Sequence, residues 1–184
     1  MTRIVAGLAG GRRLAVPAGG GTRPTADRVR EALFASLESE LGALDGLSVI
    51  DLYAGSGAVG LEALSRGAVR VLLVESDRRA AAVAGANVKA VGLPGARVLA
   101  KPAERLGPNP GEPYDVLFAD PPYALSAQEL RGVLTRLVAG GWLTGDAVVV
   151  VERGGREAWE WPDGFVASRD RRYGDARLWY GHRV

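Results

Sequence analysis

Cysteine is absent from this 184-residue chain, and histidine occurs once, at His182. Without cysteine there are no disulfides, no thiolate metal sites and no cysteine nucleophile. One histidine cannot build a multi-His metal centre, and it makes a His-centred triad a poor expectation. No metal site is expected. Long apolar runs are also missing, and none approaches the roughly 18 residues of a membrane span. The opening stretch from Met1 to Val16 is broken by arginines and lacks the apolar core of a secretory leader. These absences predict a cytoplasmic protein with no membrane partner. Acids are scarce in one region. Before Glu31 the only acid is Asp27, against Arg3, Arg12, Arg13, Arg23, Arg28 and Arg30. The whole chain is nearly balanced at +2, so this block is a local excess that points to a polyanion partner.

What is present suits a globular domain. Hydrophobic residues make up 47% and charged residues 24%, enough apolar material for a core without covalent staples. The segments "RIVAG" and "RRLAVP" around Gly10-Gly11 predict a short hairpin. Pro17 to Thr25 reads as a loop, and Thr25 as the N-cap of a helix carrying Val29, Leu33, Leu37 and Leu41 on one face. From Leu47 on, strands and helices alternate. "LSVIDLY", "VRVLLVE", "ARVLA", "YDVLFAD" and "DAVVVVE" are the strands. Helices are expected through Leu61–Ser65, over 77–92, and from Ser126, where Glu129 completes a capping box. The tail from Gly164 predicts an antiparallel hairpin turning near Tyr173-Gly174-Asp175. The pattern predicts an α/β fold with an open, mostly parallel sheet and helices on both faces. A basic extension over 1–25 precedes the main domain over 26–184. No heptad repeat argues for oligomers, so a monomer is expected.

In such sheets ligands bind beyond the carboxyl ends of the strands, at the point where strand order reverses. The first long strand ends in "DLYAGSGAVG". Gly55-Ser56-Gly57 and Gly60 form the G-x-G-x-x-G pattern between a strand and a helix, and Glu75 follows Gly55 by 20 positions at the next strand end. Together they predict an adenosine-containing cofactor, with Glu75 on the ribose hydroxyls. Asp51 selects among such cofactors. A carboxylate beside the loop opposes a pyrophosphate and favours a ligand with ammonium and sulfonium charges. S-adenosylmethionine carries both.

The fourth strand ends on Asp120-Pro121-Pro122-Tyr123. Proline cannot donate to a ladder, so pairing stops and the last carbonyls stay free. The Asp120 carboxylate and a proline carbonyl then form a corner of acceptors, complementary to an NH₂ group. Tyr123 offers a face for stacking a base. Acceptors that grip both amine hydrogens draw the nitrogen toward tetrahedral geometry and free its lone pair for attack.

At these residues the sequence resembles class I S-adenosylmethionine-dependent methyltransferases of the N-methylating type. "RIVAGLAGGRRLAVP", "TRPTADRVREALF", "DLYAGSGAVGLEALSRGA" and "VLLVESD" are similar to the RsmD family, which methylates the exocyclic N2 amine of a guanine in small-subunit (16S) ribosomal RNA. The resemblance covers nearly the whole chain. It implies a Rossmann-like fold and cofactor contacts from Asp51, Tyr53, Ala54, Gly55, Ser56, Gly57, Glu75, Ser76 and Ala103. It also implies a catalytic Asp120-Pro121-Pro122-Tyr123. Related enzymes often carry an acid after the third strand to meet adenine, whereas Lys101-Pro102-Ala103 stand here. Arg12, Arg13, Arg23, Thr25, Arg28 and Arg30 are expected on RNA, within a 30S subunit or an assembly intermediate, and should position it without reading sequence. The competing readings are an N-methyltransferase acting on DNA bases or on a protein glutamine. The chain leaves little room for a DNA-recognition domain.

Overall fold

The computed structural model describes residues 1–19 and 24–184, apart from the side chains of 24 and 25. A small antiparallel pair, β1 (Thr2–Arg3) and β2 (Arg13–Leu14), comes first, followed by α1 (Pro24–Leu41). The alternation then runs β3 (Ser48–Leu52), α2 (Ala58–Ser65), β4 (Arg70–Val74), α3 (Arg78–Val91), β5 (Ala96–Leu99), β6 (Tyr114–Ala119), α4 (Ala127–Ala139) and β7 (Leu143–Gly154). The hairpin β8 (Phe165–Tyr173) and β9 (Ala176–Arg183) closes the chain. The main sheet has the order β5-β4-β3-β6-β7-β9-β8. Strands β3 to β7 run parallel, and β9 lies antiparallel between β7 and β8. The expected α/β, Rossmann-like class I fold with a C-terminal antiparallel hairpin is the one observed.

Two apolar clusters sandwich the sheet. Val49, Leu73, Phe118 and Val150 point to the face covered by α1, α2 and α3. Ile50, Leu72, Leu117 and Val149 point to the face covered by α4. Period-two alternation puts successive residues on opposite faces, so burial on both sides explains why these strands are apolar throughout. The N-terminal pair shares the first cluster through Ile4 and Leu14.

Local chemistry sets the element ends. Asp77 caps α3 by accepting from Ala80 N, and Gly92 closes that helix in a left-handed conformation. Ser126 and Glu129 form the expected capping box. Two expectations change. The strands read in "RIVAG" and "RRLAVP" shrink to two residues each, because Val5 N and Ala6 N donate to the Glu62 carboxylate instead of a strand partner. Thr25 is not the N-cap, since α1 already includes Pro24. A proline is well suited to the first turn because its missing N–H would have no helical partner there.

Candidate active site

The strand order reverses at β3. The chain winds outward through β4 and β5, then returns to place β6 on the other side. The crevice at that reversal holds the site. Four adjacent strands each bring one acid there. Counting by twos along each strand, Glu75 follows Leu73, Asp120 follows Phe118 and Glu152 follows Val150, while Asp51 is level with Leu73 and Phe118. All four therefore belong to the α1–α3 side. Asp51 lies one side-chain step deeper, about 6.6 Å along the strand. Asp120 and Glu152 stand level on strands spaced about 4.8 Å apart.

Two clefts meet at this ledge. A cleft of about 390 Å³ is bounded by Asp51, Tyr53, the Ala54-Gly55-Ser56 loop, Val16 and Pro17 of the N-terminal segment, and α1. A second, of about 540 Å³, is bounded by Pro121, Pro122, Tyr123, Arg153 and the β8–β9 turn. Ala26, Val29, Asp120 and Glu152 line both.

The first cleft is set by backbone hydrogen bonds. Tyr53 has φ +58, in the left-handed region, and is the only described non-glycine residue there. It turns the chain off β3 at a conformational cost of order 1–3 kcal/mol. Its hydroxyl donates to Glu104 Oε1 at 3.0 Å. Gly55 N donates to Glu75 Oε2 at 2.8 Å, and Asp77 N donates to Glu75 Oε1 at 2.9 Å. Asn87 Nδ2 donates to Ser56 O and to Ala15 O, tying the loop to the N-terminal segment. A Cβ on Gly60 would lie 2.3 Å from Leu73 Cδ2, so helix α2 packs against β4 only with glycine there. Gly55 differs: its Cβ direction is open, on the cleft side. Gly57 is buried at the start of α2.

Electrostatics favour a cation here. Asp51 is buried and accepts from Gly60 N at 2.9 Å. Burial, opposed by that hydrogen bond and joined by the nearby Asp120 and Glu75, pushes its carboxyl up to about 8. No basic side chain among the described residues relieves it. A unit cation about 5 Å away gains roughly 3 kcal/mol from each carboxylate at an effective dielectric near 20. Open space beside Gly55 and an uncompensated acid suit an ammonium- and sulfonium-bearing adenosyl ligand.

The second cleft is different. Tyr123 is 82% exposed, so it is no core residue. Pro121 is buried, and Pro122 O accepts from Leu125 N at 3.0 Å to turn the chain toward α4. Arg153 braces this turn by donating to Leu125 O and pairing with Glu157. Asp120 opens to the cleft, yet the surrounding protein pushes its carboxyl up to about 6, with Arg153 pulling the other way. Burial and the Asp120 charge push Glu152 up to about 8.

The remaining expected residues are dispersed. Ser76 is exposed and Ala103 is buried in the α4-side cluster; neither lines the cleft. Arg13 and Arg28 are exposed, and Arg12 is exposed but donates to Val91 O at the end of α3. Arg23 and the side chain of Thr25 lie outside the described residues. Arg30 corrects its expectation. It is buried, pairs with Asp27 at 3.2 Å and Glu62 at 3.5 Å, and donates to Arg3 O. Its guanidinium clamps the N-terminal pair to α2 and is not free for phosphate. Sequence reasoning missed Glu152, Arg153 and Asn87. An acid ending "DAVVVVE" was the available signal for Glu152.

This sheet order, with a glycine loop at the reversal and an acceptor corner beside it, defines a class I methyltransferase. The chain belongs to the family described as Conserved hypothetical protein 95, whose model matches residues 2–182. It is 39% identical over 150 residues to Ribosomal RNA small subunit methyltransferase D of Escherichia coli K12, covering 82% of this chain and 73% of that one. The Haemophilus influenzae protein of the same name is 33% identical over 159 residues, covering 82% and 77%. Among solved structures, a hypothetical protein of Thermus thermophilus matches with TM-score 0.77 and 35% identity over 98% of both chains. Magnesium protoporphyrin IX methyltransferase from Synechocystis, solved with bound S-adenosylmethionine, shares the fold at TM-score 0.67 and 17% identity over 90% of this chain and 87% of that one.

Proposed function

We propose that this enzyme transfers a methyl group from S-adenosylmethionine to the exocyclic N2 amine of a guanine in 16S ribosomal RNA, within a 30S subunit or an assembly intermediate. The observation that carries the reading is the meeting of the two clefts at Asp120, with Tyr123 exposed beside it. The names of the relatives support ribosomal RNA as the substrate. Asp51 would meet the positive end of the cofactor, Gly55 and Ser56 would line its path, and Glu75 would accept from the ribose. When bound, the cofactor supplies an electrophilic methyl group on a sulfonium.

The chain's own residues would do the rest. Tyr123 stacks the extruded base, since a base inside structured RNA must leave its stack to reach this corner. Asp120 and the Pro121 carbonyl accept from the amine and hold its lone pair toward the first cleft. The amine loses a proton as it is methylated, and Asp120 accepts it. A carboxyl near 6 is basic enough for a strongly acidic methylated aryl-ammonium. Exposed Arg13 and Arg28 lie on the N-terminal side and contact phosphate.

The test is transfer of labelled methyl groups to small subunits from cells lacking this activity, with the modified nucleotide mapped. N2-methylguanine in 16S RNA is expected. Label in DNA, in a peptide glutamine or on another nucleotide position would overturn the reading.

A further inference from the structure

Glu152 has no part in the chemistry described so far, yet it lines both clefts. It has no hydrogen-bond or ion-pair partner among the described residues, and its one resolved electrostatic partner is Asp120. Asp120 accepts no hydrogen bond from them either. Two level carboxyl groups on adjacent strands thus face the junction with no donor supplied by the described residues. Glu152 is half-buried, and such an acceptor left bare is unfavourable unless a ligand brings donors, while Asp120 beside it opens to the cleft. The charged groups around Glu152 are Asp120 from β6, Asp51 from β3, Arg153 beside it on β7, Glu157 after it, Asp175 from the β8–β9 turn and Arg30 on α1. Arg153 and Arg30 are engaged by Glu157 and by Asp27 and Glu62, so neither cancels Glu152.

Base chemistry says which ligand edge fits. Beside the guanine N2 amine stands N1–H, so that edge presents donors at two neighbouring positions. Beside the adenine and cytosine amines stands a ring nitrogen with a lone pair, which opposes a carboxylate. We infer that Glu152 is a specificity-determining substrate contact, accepting from N1–H of the target guanine while Asp120 accepts from its N2 amine. This rests on the guanine reading above and gives that reading a selecting residue. It also assigns the cost of a bare Glu152 in the free enzyme to recognition of one base. An ionised Glu152 is the better acceptor, so the assay belongs at about pH 8.5, above the raised value of that acid.

The experiment compares wild type, Glu152→Gln and Glu152→Asp on small subunits carrying either guanine or 2-aminopurine at the mapped target position. 2-Aminopurine keeps the 2-amino group but presents a bare N1. Wild type should strongly prefer guanine. Glu152→Gln, whose amide can donate to N1, should lose roughly 10–100-fold in kcat/KM on guanine and lose far less, or gain, on 2-aminopurine. The ratio of the two ratios cancels the missing O6 of the analogue. Glu152→Asp should keep the preference for guanine at reduced rate. Titration with S-adenosylmethionine should give wild-type affinity for both variants, which also shows that they are folded. An equal loss on both bases, no loss at all, or weakened cofactor binding with the base preference unchanged would overturn the assignment. Failure of wild type to methylate guanine would instead sink the underlying function, and the wild-type arm alone reports it.

Discussion

The two clefts are built on opposite terms. On the glycine-loop side the acids are already engaged: Glu75 by Gly55 N and Asp77 N, Asp51 by Gly60 N. Asn87 and Glu104 lock the loop from outside. On the proline side Asp120 and Glu152 have no donor among the described residues, and Tyr123 stands in the open. The first cleft is shaped before its ligand arrives, which avoids ordering costs on binding. The second leaves its acceptors bare, and on the proposed reading an amine satisfies them in interactions that strengthen as it becomes tetrahedral. Damage to the first cleft should therefore read out as lost cofactor affinity, and damage to the second as lost binding or turnover of the substrate base with cofactor affinity kept.

The largest effect is expected from Asp120→Ala. Methyl transfer should fall by at least about 10²–10⁴-fold, while calorimetry finds cofactor affinity nearly unchanged. A variant that turns over normally would erase the division between the clefts. Asp51→Asn should do the converse and weaken cofactor binding by about 10–100-fold, the loss of one charge contact. It should also raise the thermal stability of the free protein. The sign follows from the raised pKa: the native acid is pushed from 3.8 up to about 8, so stability is greatest below the unfolded value and declines as pH rises toward 8. The asparagine removes that decline. Cofactor affinity of the wild type should rise between about pH 6 and 8.5, because the ionised acid binds the cation, and the variant should show a flatter profile.

Tyr123→Ala comes next. Lost stacking of about 1–3 kcal/mol should raise KM for the ribosomal substrate by roughly 5–100-fold. The melting temperature should hardly move, since the side chain is exposed, and Tyr123→Phe should restore KM. A melting shift of several degrees would place Tyr123 in the packing instead. The smallest effect belongs to Arg28→Ala. Affinity for RNA should drop about two- to fivefold, with a salt slope shallower by about one. Arg30→Ala makes the contrast. It removes one of the two guanidinium partners of buried Glu62, Arg66 remaining at 2.9 Å, and should destabilise the fold by roughly 1–3 kcal/mol, seen in a denaturant melt rather than in the salt slope.

Much of this was legible along the chain. The strand–helix alternation, the capping box at Ser126 and the closing hairpin are local patterns, and local hydrogen bonds enforce them. The glycine loop, Asp51, Glu75 and the Asp120-Pro121-Pro122-Tyr123 corner could be read because each sits at a strand end that its own sequence marks. The N-terminal arginines could not be sorted. Arg28 and Arg30 lie two positions apart on α1, and a helix turns such neighbours about 200° from each other. One reaches solvent and the other faces Glu62. Nothing in the spacing says which side the core will occupy.

The residue types alone determined an α/β sheet whose acid-bearing strand ends suit a cationic adenosyl ligand, and they carry the proposal that a planar amine meets it there, because charge and hydrogen-bonding chemistry travel with the residues. Tertiary structure decided which acids share the meeting point. Strand order is not written in sequence order: β6 joins β3, and β7 then joins β6, only after the chain has wound out to β5 and back. That placement brings Glu152 level with Asp120 although a whole helix separates them along the chain, and makes one acceptor into two.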